Sequence, residues 1–350
     1  MPLRDFFTTG LGARLAGAMA IAIGCTWLGL WWTGLAPRWS AQGVTVKTNM
    51  ALCQVLAGVA LVLLAPSTSK GVWRRLGMIA AGAVLLIGTL TLSEHLFGYD
   101  LGIDQVLASE PAGAVGVVSP NRMGPPGSSS MMLLGAGLLL LALGRPRFAA
   151  SLGLAVCMLV LIPAVGFIYG IAEFYSHPRL TTTAWSTVIA LLSLGVGLIF
   201  ARPAAGPTAQ LLRDDPGGVL LRRLTPAVIL IPLLLGFLKV QGQHHGIYDT
   251  AAGTGTLTII TVVGFLFILW STAGALSQTA EARAKAEGEV RSVALFPEEN
   301  PFPIMRVGSE GKLLYANRSS VPLLEEWRCA RGERVPEFVR EVVRRAREKG

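Results

Sequence analysis

The sequence L-T-I-I-T-V-V-G-F-L-F-I-L-W, residues 257–270, is followed after ten further residues by E-A-R-A-K-A-E-G-E-V-R, residues 281–291. Such an apolar run is typical of a helix that crosses a bilayer, whereas alternating acidic and basic residues are typical of a solvated helix face. The change after Trp270 therefore predicts two parts: a transmembrane bundle, residues 1–273, and a polar segment behind it.

The composition agrees with this division. Of the 350 residues, 52% are hydrophobic and 15% are charged, with a mean hydropathy of +0.56. Soluble domains contain about 25% charged residues, so an ordinary soluble enzyme is excluded, and the hydrophobicity excludes a largely disordered chain. Because 26 of the 51 charged residues lie in the last 74 positions, the first 276 residues are too poor in charge for a soluble surface.

Eight apolar stretches, most of them within the length of about 17–25 residues that a bilayer requires, precede the polar segment. They predict a mainly α-helical, polytopic membrane bundle of about eight transmembrane helices. The predicted spans are residues 15–35, 49–65, 76–96, 129–143, 148–170, 181–201, 224–240 and 250–273.

Lysines and arginines are distributed unequally between the connecting segments. With the N-terminus inside, the inner residues are Arg4, Arg14, Lys70, Arg74, Arg75, Arg145, Arg147, Arg202, Arg213, Arg222 and Arg223, and the outer ones are Arg38, Lys47, Arg122, Arg179 and Lys239. This positive-inside pattern predicts a multi-pass protein of the inner (cytoplasmic) membrane with both termini cytoplasmic. It also accounts for the net charge of +9 without nucleic-acid binding.

The longest polar segment between spans, residues 98–128, lies among several ionisable residues. Asp100 and Asp104 are expected one helical turn apart, just beyond Glu94 and His95. With residues of the last outer loop, they predict an outward-facing pocket that binds a cation or a small ligand. The candidate residues are Glu94, His95, Asp100, Asp104, Arg122, His244, His245 and Asp249.

A structural role for these residues is the alternative hypothesis. They would then be solvated loop groups and helix-end anchors, with Arg122 paired locally to one acid. No pair has the spacing of metal ligands on one helix, such as H-x-x-x-H, so no metal site is assigned and no catalytic residue is proposed. Because the spans hold almost no ionisable groups, a membrane transporter or an intramembrane enzyme is the weaker interpretation of the bundle.

Residues 274–295 are predicted to form a signalling helix that leaves the membrane. Leu276, Ala280 and Ala284 belong to a thin apolar stripe at nearly heptad spacing. Such a stripe predicts pairing with a second copy in a homodimer, and the helix would transmit movement of the last span. These three residues are the candidate signal relay.

The polar tail has the pattern of a hairpin and two helices. P-I-M-R-V, residues 303–307, and K-L-L-Y-A, residues 312–316, alternate like strands around S-E-G, and Asn317 is expected to cap the next helix. The start of the tail resembles the opening of a PAS domain. The residues that carry this resemblance are F-P-E-E-N-P-F-P-I-M-R-V-G-S-E-G-K-L-L-Y-A-N, residues 296–317. The bundle resembles the membrane input module of bacterial PAS-containing sensor histidine kinases and diguanylate cyclases. This resemblance rests on E-H-L-F-G-Y-D-L-G-I-D, residues 94–104, and on P-N-R-M, residues 120–123.

The resemblance implies a signal-transduction protein that relays a bilayer or outer-face stimulus. Residues 296–350 would be the N-terminal half of an incomplete α+β PAS domain, paired in a homodimer, with a two-component or cyclic-dinucleotide output from a cytoplasmic kinase or cyclase partner. No kinase or cyclase domain follows, so no enzyme activity is expected of this chain itself. The family's cofactors, haem, flavin and small acids, are assigned to no residue. A non-functional fragment of a longer sensor kinase remains the other alternative.

Overall fold

The computed structural model describes residues 10–348 except 41–42, 67–69, 112, 177–180, 204–206 and 214. The side chains of residues 207, 216, 275–276, 278–284, 286–297 and 347 lie outside this description. The chain divides into two compact units, Met1–Trp270 and Ser271–Gly350. This division falls where the apolar run of residues 257–270 ends.

The described part of the first unit consists of helices and their connections. In chain order the helices are α1 (Leu11–Trp32), α2 (Ala36–Trp39), α3 (Thr48–Leu64), α4 (Gly71–Phe97), α5 (Pro125–Ala142), α6 (Pro146–Tyr169), a 3-10 turn (Ala172–Phe174), α7 (Trp185–Ile199), α8 (Pro207–Leu211), α9 (Pro216–His244) and α10 (Thr250–Glu299).

Among the described residues, six helices are long and apolar enough to cross a bilayer, which marks the chain as a membrane protein. They are α1, α4, α5, α6, α9 and the first half of α10, Thr250–Gly274. The two other predicted spans, α3 and α7, are apolar but only 17 and 15 residues long. Helix α7 begins later than predicted because residues 181–184 are extended: Thr182 N–H donates to Gly116 O, and Thr183 N–H donates to Tyr175 O.

Glycines permit close contact between neighbouring helices. A Cβ on Gly17 of α1 would lie 2.8 Å from Gly58 O of α3, and one on Gly153 of α6 would lie 2.8 Å from Gly195 O of α7. Small residues allow membrane helices to approach in this way. Helices α1 and α3–α7 therefore enclose one core of buried Leu, Ala, Val and Met side chains. Only 6% of the residues in the apolar parts of α9 and α10 are buried.

Helix α10 contains both the last predicted span and the predicted signalling helix. It continues to Glu299, four residues beyond the predicted end at residue 295. The backbone of Leu276, Ala280 and Ala284 belongs to α10, but their side chains lie outside the described residues.

The second unit continues after α10 with an antiparallel hairpin and two helices. Strand β1 (Met305–Val307) pairs with β2 (Leu313–Ala316), and a 3-10 turn (Arg318–Ser320) leads to α11 (Val321–Glu326) and α12 (Glu337–Glu348). The predicted order of two strands and two helices is confirmed. Leu313, Cys329 and Val335 form the small core of this unit.

Asn317 occupies the N-cap position of the 3-10 turn, but its side chain makes no capping hydrogen bond there. Its Oδ1 accepts the N–H of Ile304 at 2.9 Å, and its Nδ2 donates to Phe302 O at 2.9 Å. The residue is 1% exposed. Asn317 therefore joins the proline-rich entry of the second unit to the end of β2, because its amide satisfies backbone groups that the short sheet leaves unpaired.

Candidate functional site

The candidate residues of α4 and the following loop meet at one end of the first unit, which we call the polar end. Helix α4 ends because Gly98 takes a left-handed conformation (φ 71°), a common helix stop. The loop of residues 98–124 has no helix or strand among its described residues. Helix α5 then begins with Pro125, whose missing N–H is no loss at a first helical position.

Arg122 is surrounded by three carboxylates. Its Nη2 lies 3.2 Å from Glu94 Oε1 and 3.0 Å from Asp100 Oδ1, and its Nε lies 2.5 Å from Asp104 Oδ2. The side chains of Glu94, Asp104 and Arg122 are 0%, 6% and 10% exposed, whereas that of Asp100 is 76% exposed. We call these four residues the Arg122 cluster. Arg122 thus pairs with two buried acids and one exposed acid. The structural alternative predicted a pair with only one acid.

Hydrogen bonds to the loop backbone and to α3 position the two aspartates. Asp100 Oδ1 accepts the N–H of Gly102 at 2.9 Å, and Asp104 Oδ1 accepts from Asn49 Nδ2 at 3.0 Å. The prediction that these aspartates lie one helical turn apart is wrong. Gly102 has a positive φ of 69°, which turns the chain out of any helix, and Arg122 gathers the two carboxylates instead.

The buried carboxylate of Glu94 is only half satisfied. Its Oε1 accepts the N–H of Leu101 at 2.8 Å in addition to Arg122, whereas its Oε2 is buried without a hydrogen-bond partner among the described residues. Oxygen atoms of Glu94, Asp100 and Asp104 all lie within 4.8 Å of one another. Three carboxylates against one guanidinium leave an excess of negative charge, which is the donor set that a hard cation prefers.

The surroundings shift the ionisation of the cluster. Burial raises the pKa of Asp104, and the Asp100 carboxylate raises it further, against the opposing effect of Arg122. Burial disfavours the charged form of Arg122, but its hydrogen bond to Asp104 holds the Arg122 pKa above its ordinary value. Arg122 therefore keeps its charge, and the raised pKa of Asp104 favours uptake of a proton on that carboxylate when the pH falls.

Lys47 and Glu110 form a second buried ion pair, which sequence reasoning missed. Lys47 Nζ lies 2.6 Å from Glu110 Oε1, with side chains 4% and 2% exposed. Burial lowers the pKa of Lys47, while Glu110 opposes this shift. The sequence did contain a signal: Lys47 directly precedes an apolar helix, where an unpaired buried cation would be costly.

Asn121 connects this ion pair to the Arg122 cluster. Its N–H donates to Glu110 Oε2 at 2.6 Å, and its Nδ2 donates to Asp104 O at 2.9 Å. Its Oδ1 accepts the N–H of Thr48 at the start of α3. Asn121 has a φ of 56°, a left-handed conformation that asparagine adopts more readily than most residues. The loop is therefore fastened to α3 and α4 by one continuous buried polar network.

A small cavity lies next to Lys47. Its volume is about 20 Å³, enough for one water molecule, and Thr45, Thr181 and Thr187 are among its lining residues. Thr181 Oγ1 is buried and has no hydrogen-bond partner among the described residues. The polar lining and the unpartnered hydroxyl suit an ordered water here.

The other four candidate residues lie at the edge of the Arg122 cluster or apart from it. His95 Nε2 lies 2.9 Å from Met123 O, so it donates a hydrogen bond there. His244 and His245, at the end of α9, are exposed, and Asp249 caps α10 by accepting the N–H of Ala252 at 2.7 Å. In the described part of the chain, no hydrogen bond or ion pair links His244, His245 or Asp249 to the Arg122 cluster. Direct ion pairs therefore connect four of the eight predicted residues, Glu94, Asp100, Asp104 and Arg122.

Neither the protein-family models nor the curated proteins nor the solved structures compared with this chain include a match.

Proposed function

We propose that this chain is an integral membrane sensory protein that relays a bilayer or outer-face stimulus to its second unit. The main support is the continuity of α10 from Thr250 to Glu299. The last apolar segment and the segment that precedes the hairpin thus belong to one helix. A continuous helix transmits rotation or displacement from one end to the other.

The polar end is the proposed input. The loop of residues 98–124 is held by ion pairs of the Arg122 cluster, and Glu94 Oε2 has no hydrogen-bond partner in the part of the chain that the structure describes. A cation or a cationic small ligand would compete with Arg122 for the same three carboxylates. Binding would then favour a second arrangement of the loop and of the helices fastened to it, which is a population shift.

The proposal includes details of topology and output. Helices α3 and α7, about 26 Å and about 22 Å long, would span the bilayer together with the six longer helices, which gives eight spans with both termini cytoplasmic. The membrane would be the bacterial inner membrane, the second unit the first half of a PAS domain, and the functional form a homodimer paired along α10. A kinase or a cyclase would supply the output.

The experiment joins a histidine-kinase catalytic core behind Glu348 and removes the four native cysteines. Leu276→Cys is then oxidised in membranes, with Ser277→Cys as the matched control on the next position of α10. The proposal predicts a disulfide dimer for Leu276→Cys, with an altered rate of autophosphorylation, and a smaller effect for Ser277→Cys. If both variants leave the rate unchanged, or change it equally, α10 is not a relay.

A further inference from the structure

A cavity of about 400 Å³ lies at the end of the bundle where α3, α5 and α7 finish and α4 and α6 begin. We call it the basic cavity. Its lining includes Lys70, Arg74, Arg202, Leu64, Leu141 and Pro146. The described residues that line it include three cations and no carboxylate. Its volume falls within the usual range of ligand pockets.

Two of the cations are held in place by helix ends. Arg74 Nη2 donates to Ala142 O at 2.8 Å, where α5 finishes, and Arg202 Nη2 donates to Leu64 O at 3.0 Å, where α3 finishes. These guanidinium groups therefore neutralise the negative ends of two helices. The Lys70 ammonium has no hydrogen-bond partner among the described residues.

Two helix N-termini add further positive potential. Lys70 precedes α4, and Arg145 precedes α6, and neither helix has a side-chain cap or an acidic residue in its first turn. Unpaired N–H groups and the helix dipole make such ends favourable for anions. The basic cavity therefore combines three cations with two uncapped helix starts.

Exposed apolar side chains lie within a few positions of the lining residues along the chain. Trp73 follows Lys70 by three positions and is 63% exposed, while Leu143 and Phe148, beside the ends of α5 and α6, are 60% and 61% exposed. Tryptophan is enriched at the level of lipid headgroups. A ligand that has both a negative headgroup and acyl chains would contact both the cations and these apolar side chains.

We propose that the basic cavity binds the phosphate of an anionic phospholipid. The Lys70 ammonium and the helix starts contact the phosphate, the two arginines supply charge from their fixed positions, and the acyl chains lie along Trp73 and Phe148. Basic pockets between membrane helices bind anionic lipid headgroups by this combination of charge and interface position.

The test measures the thermal unfolding midpoint of the full chain in uncharged detergent during titration with phosphatidylglycerol. Lys70→Gln is compared with Arg75→Gln, which removes the same charge from an exposed residue of α4 outside the cavity lining. We expect the lipid to raise the midpoint of the wild type and of Arg75→Gln at similar concentrations. Lys70→Gln should require about fivefold more lipid, because one cation near an anionic headgroup contributes about that factor.

Two further arms separate the sources of the phosphate. Inorganic phosphate alone should leave the midpoint nearly unchanged, and net-neutral phosphatidylcholine should act more weakly than phosphatidylglycerol. Native mass spectrometry of the wild type should show preferential retention of phosphatidylglycerol from mixed vesicles. Equal titrations for Lys70→Gln and Arg75→Gln, a full shift with inorganic phosphate, or equal retention of the two lipids would each overturn the proposal.

Discussion

Replacement of Arg122 by glutamine removes the only cation of the Arg122 cluster. Glu94 and Asp104, whose side chains are 0% and 6% exposed, then remain as buried acids without an ionic partner. Loss of one partner from a buried ion pair costs about 3–5 kcal/mol, because the remaining charge is neither solvated nor paired. For a unit of this size that corresponds to a fall of about 5–9 °C in the thermal unfolding midpoint.

The measurement is thermal unfolding of the purified chain at neutral pH, followed by tryptophan fluorescence. Arg38→Gln is the matched control, since Arg38 is an exposed arginine of the short helix α2, and it should change stability by less than about 0.5 kcal/mol. The double variant Glu94→Gln with Arg122→Gln removes one of the stranded charges. It should recover about 2 kcal/mol relative to Arg122→Gln alone.

An Arg122→Gln midpoint equal to that of Arg38→Gln would show that the guanidinium is dispensable for holding the loop. A double variant no more stable than Arg122→Gln would show that Glu94 is not a stranded buried charge. Either result would refute the assignment of a charged, mutually stabilising cluster at the polar end.

Further predictions concern the acids, the second unit and the topology. The pKa of Asp104 is raised, so the folded protein binds a proton on this carboxylate more tightly than the unfolded chain does. This difference stabilises the fold at pH values below the ordinary pKa of 3.8. The stabilisation is lost as the pH rises through the pKa of Asp104 in the folded protein. Stability measured across that window should therefore fall more in the wild type than in Asp104→Asn. Asn317→Ala leaves the buried N–H of Ile304 and carbonyl of Phe302 without these hydrogen bonds, so it should lower the free energy of unfolding of the second unit by at least about 2 kcal/mol. The measurement is the rate of tryptic cleavage of the second unit in the full chain, which should rise. Ser309→Ala, at an exposed position, should leave that rate unchanged. In intact spheroplasts of a cysteine-free background, a membrane-impermeant thiol reagent should label Val106→Cys but not Ser309→Cys; the reverse labelling would contradict cytoplasmic termini.

Much of the helical framework was predictable because apolar length is a local property of the sequence. The differences arise where long-range contacts determine the backbone. Residues 181–184, T-T-T-A, carry no charge and were included in a predicted span, yet the hydrogen bond from Thr182 N–H to Gly116 O holds them extended. Asparagine is a common helix-capping residue, yet the side chain of Asn317 forms hydrogen bonds with the backbone of Phe302 and Ile304.

The candidate site was predictable in the part that is close in sequence. Glu94, Asp100 and Asp104 occur within eleven residues, and Arg122 lies in the same loop, so a shared cluster follows from proximity. The pairing of Lys47 with Glu110 joins residues 63 positions apart and depends on the path of the loop. The grouping of His244 with these acids stays a prediction, because positions this far apart in the sequence do not indicate whether their loops are in contact.

Arg202 has a consequence for how the chain is made. It donates to the carbonyl of Leu64, 138 positions earlier, and to those of Ala65 and Pro66. At about 5–20 residues per second, a ribosome needs about 7–28 s to bridge that interval. During that time the carbonyls at the C-terminal end of α3 lack the hydrogen bonds from Arg202. Helix α3 is therefore less stable, and more accessible to chaperones and quality-control proteases, until α7 and the residues just after it have been synthesised.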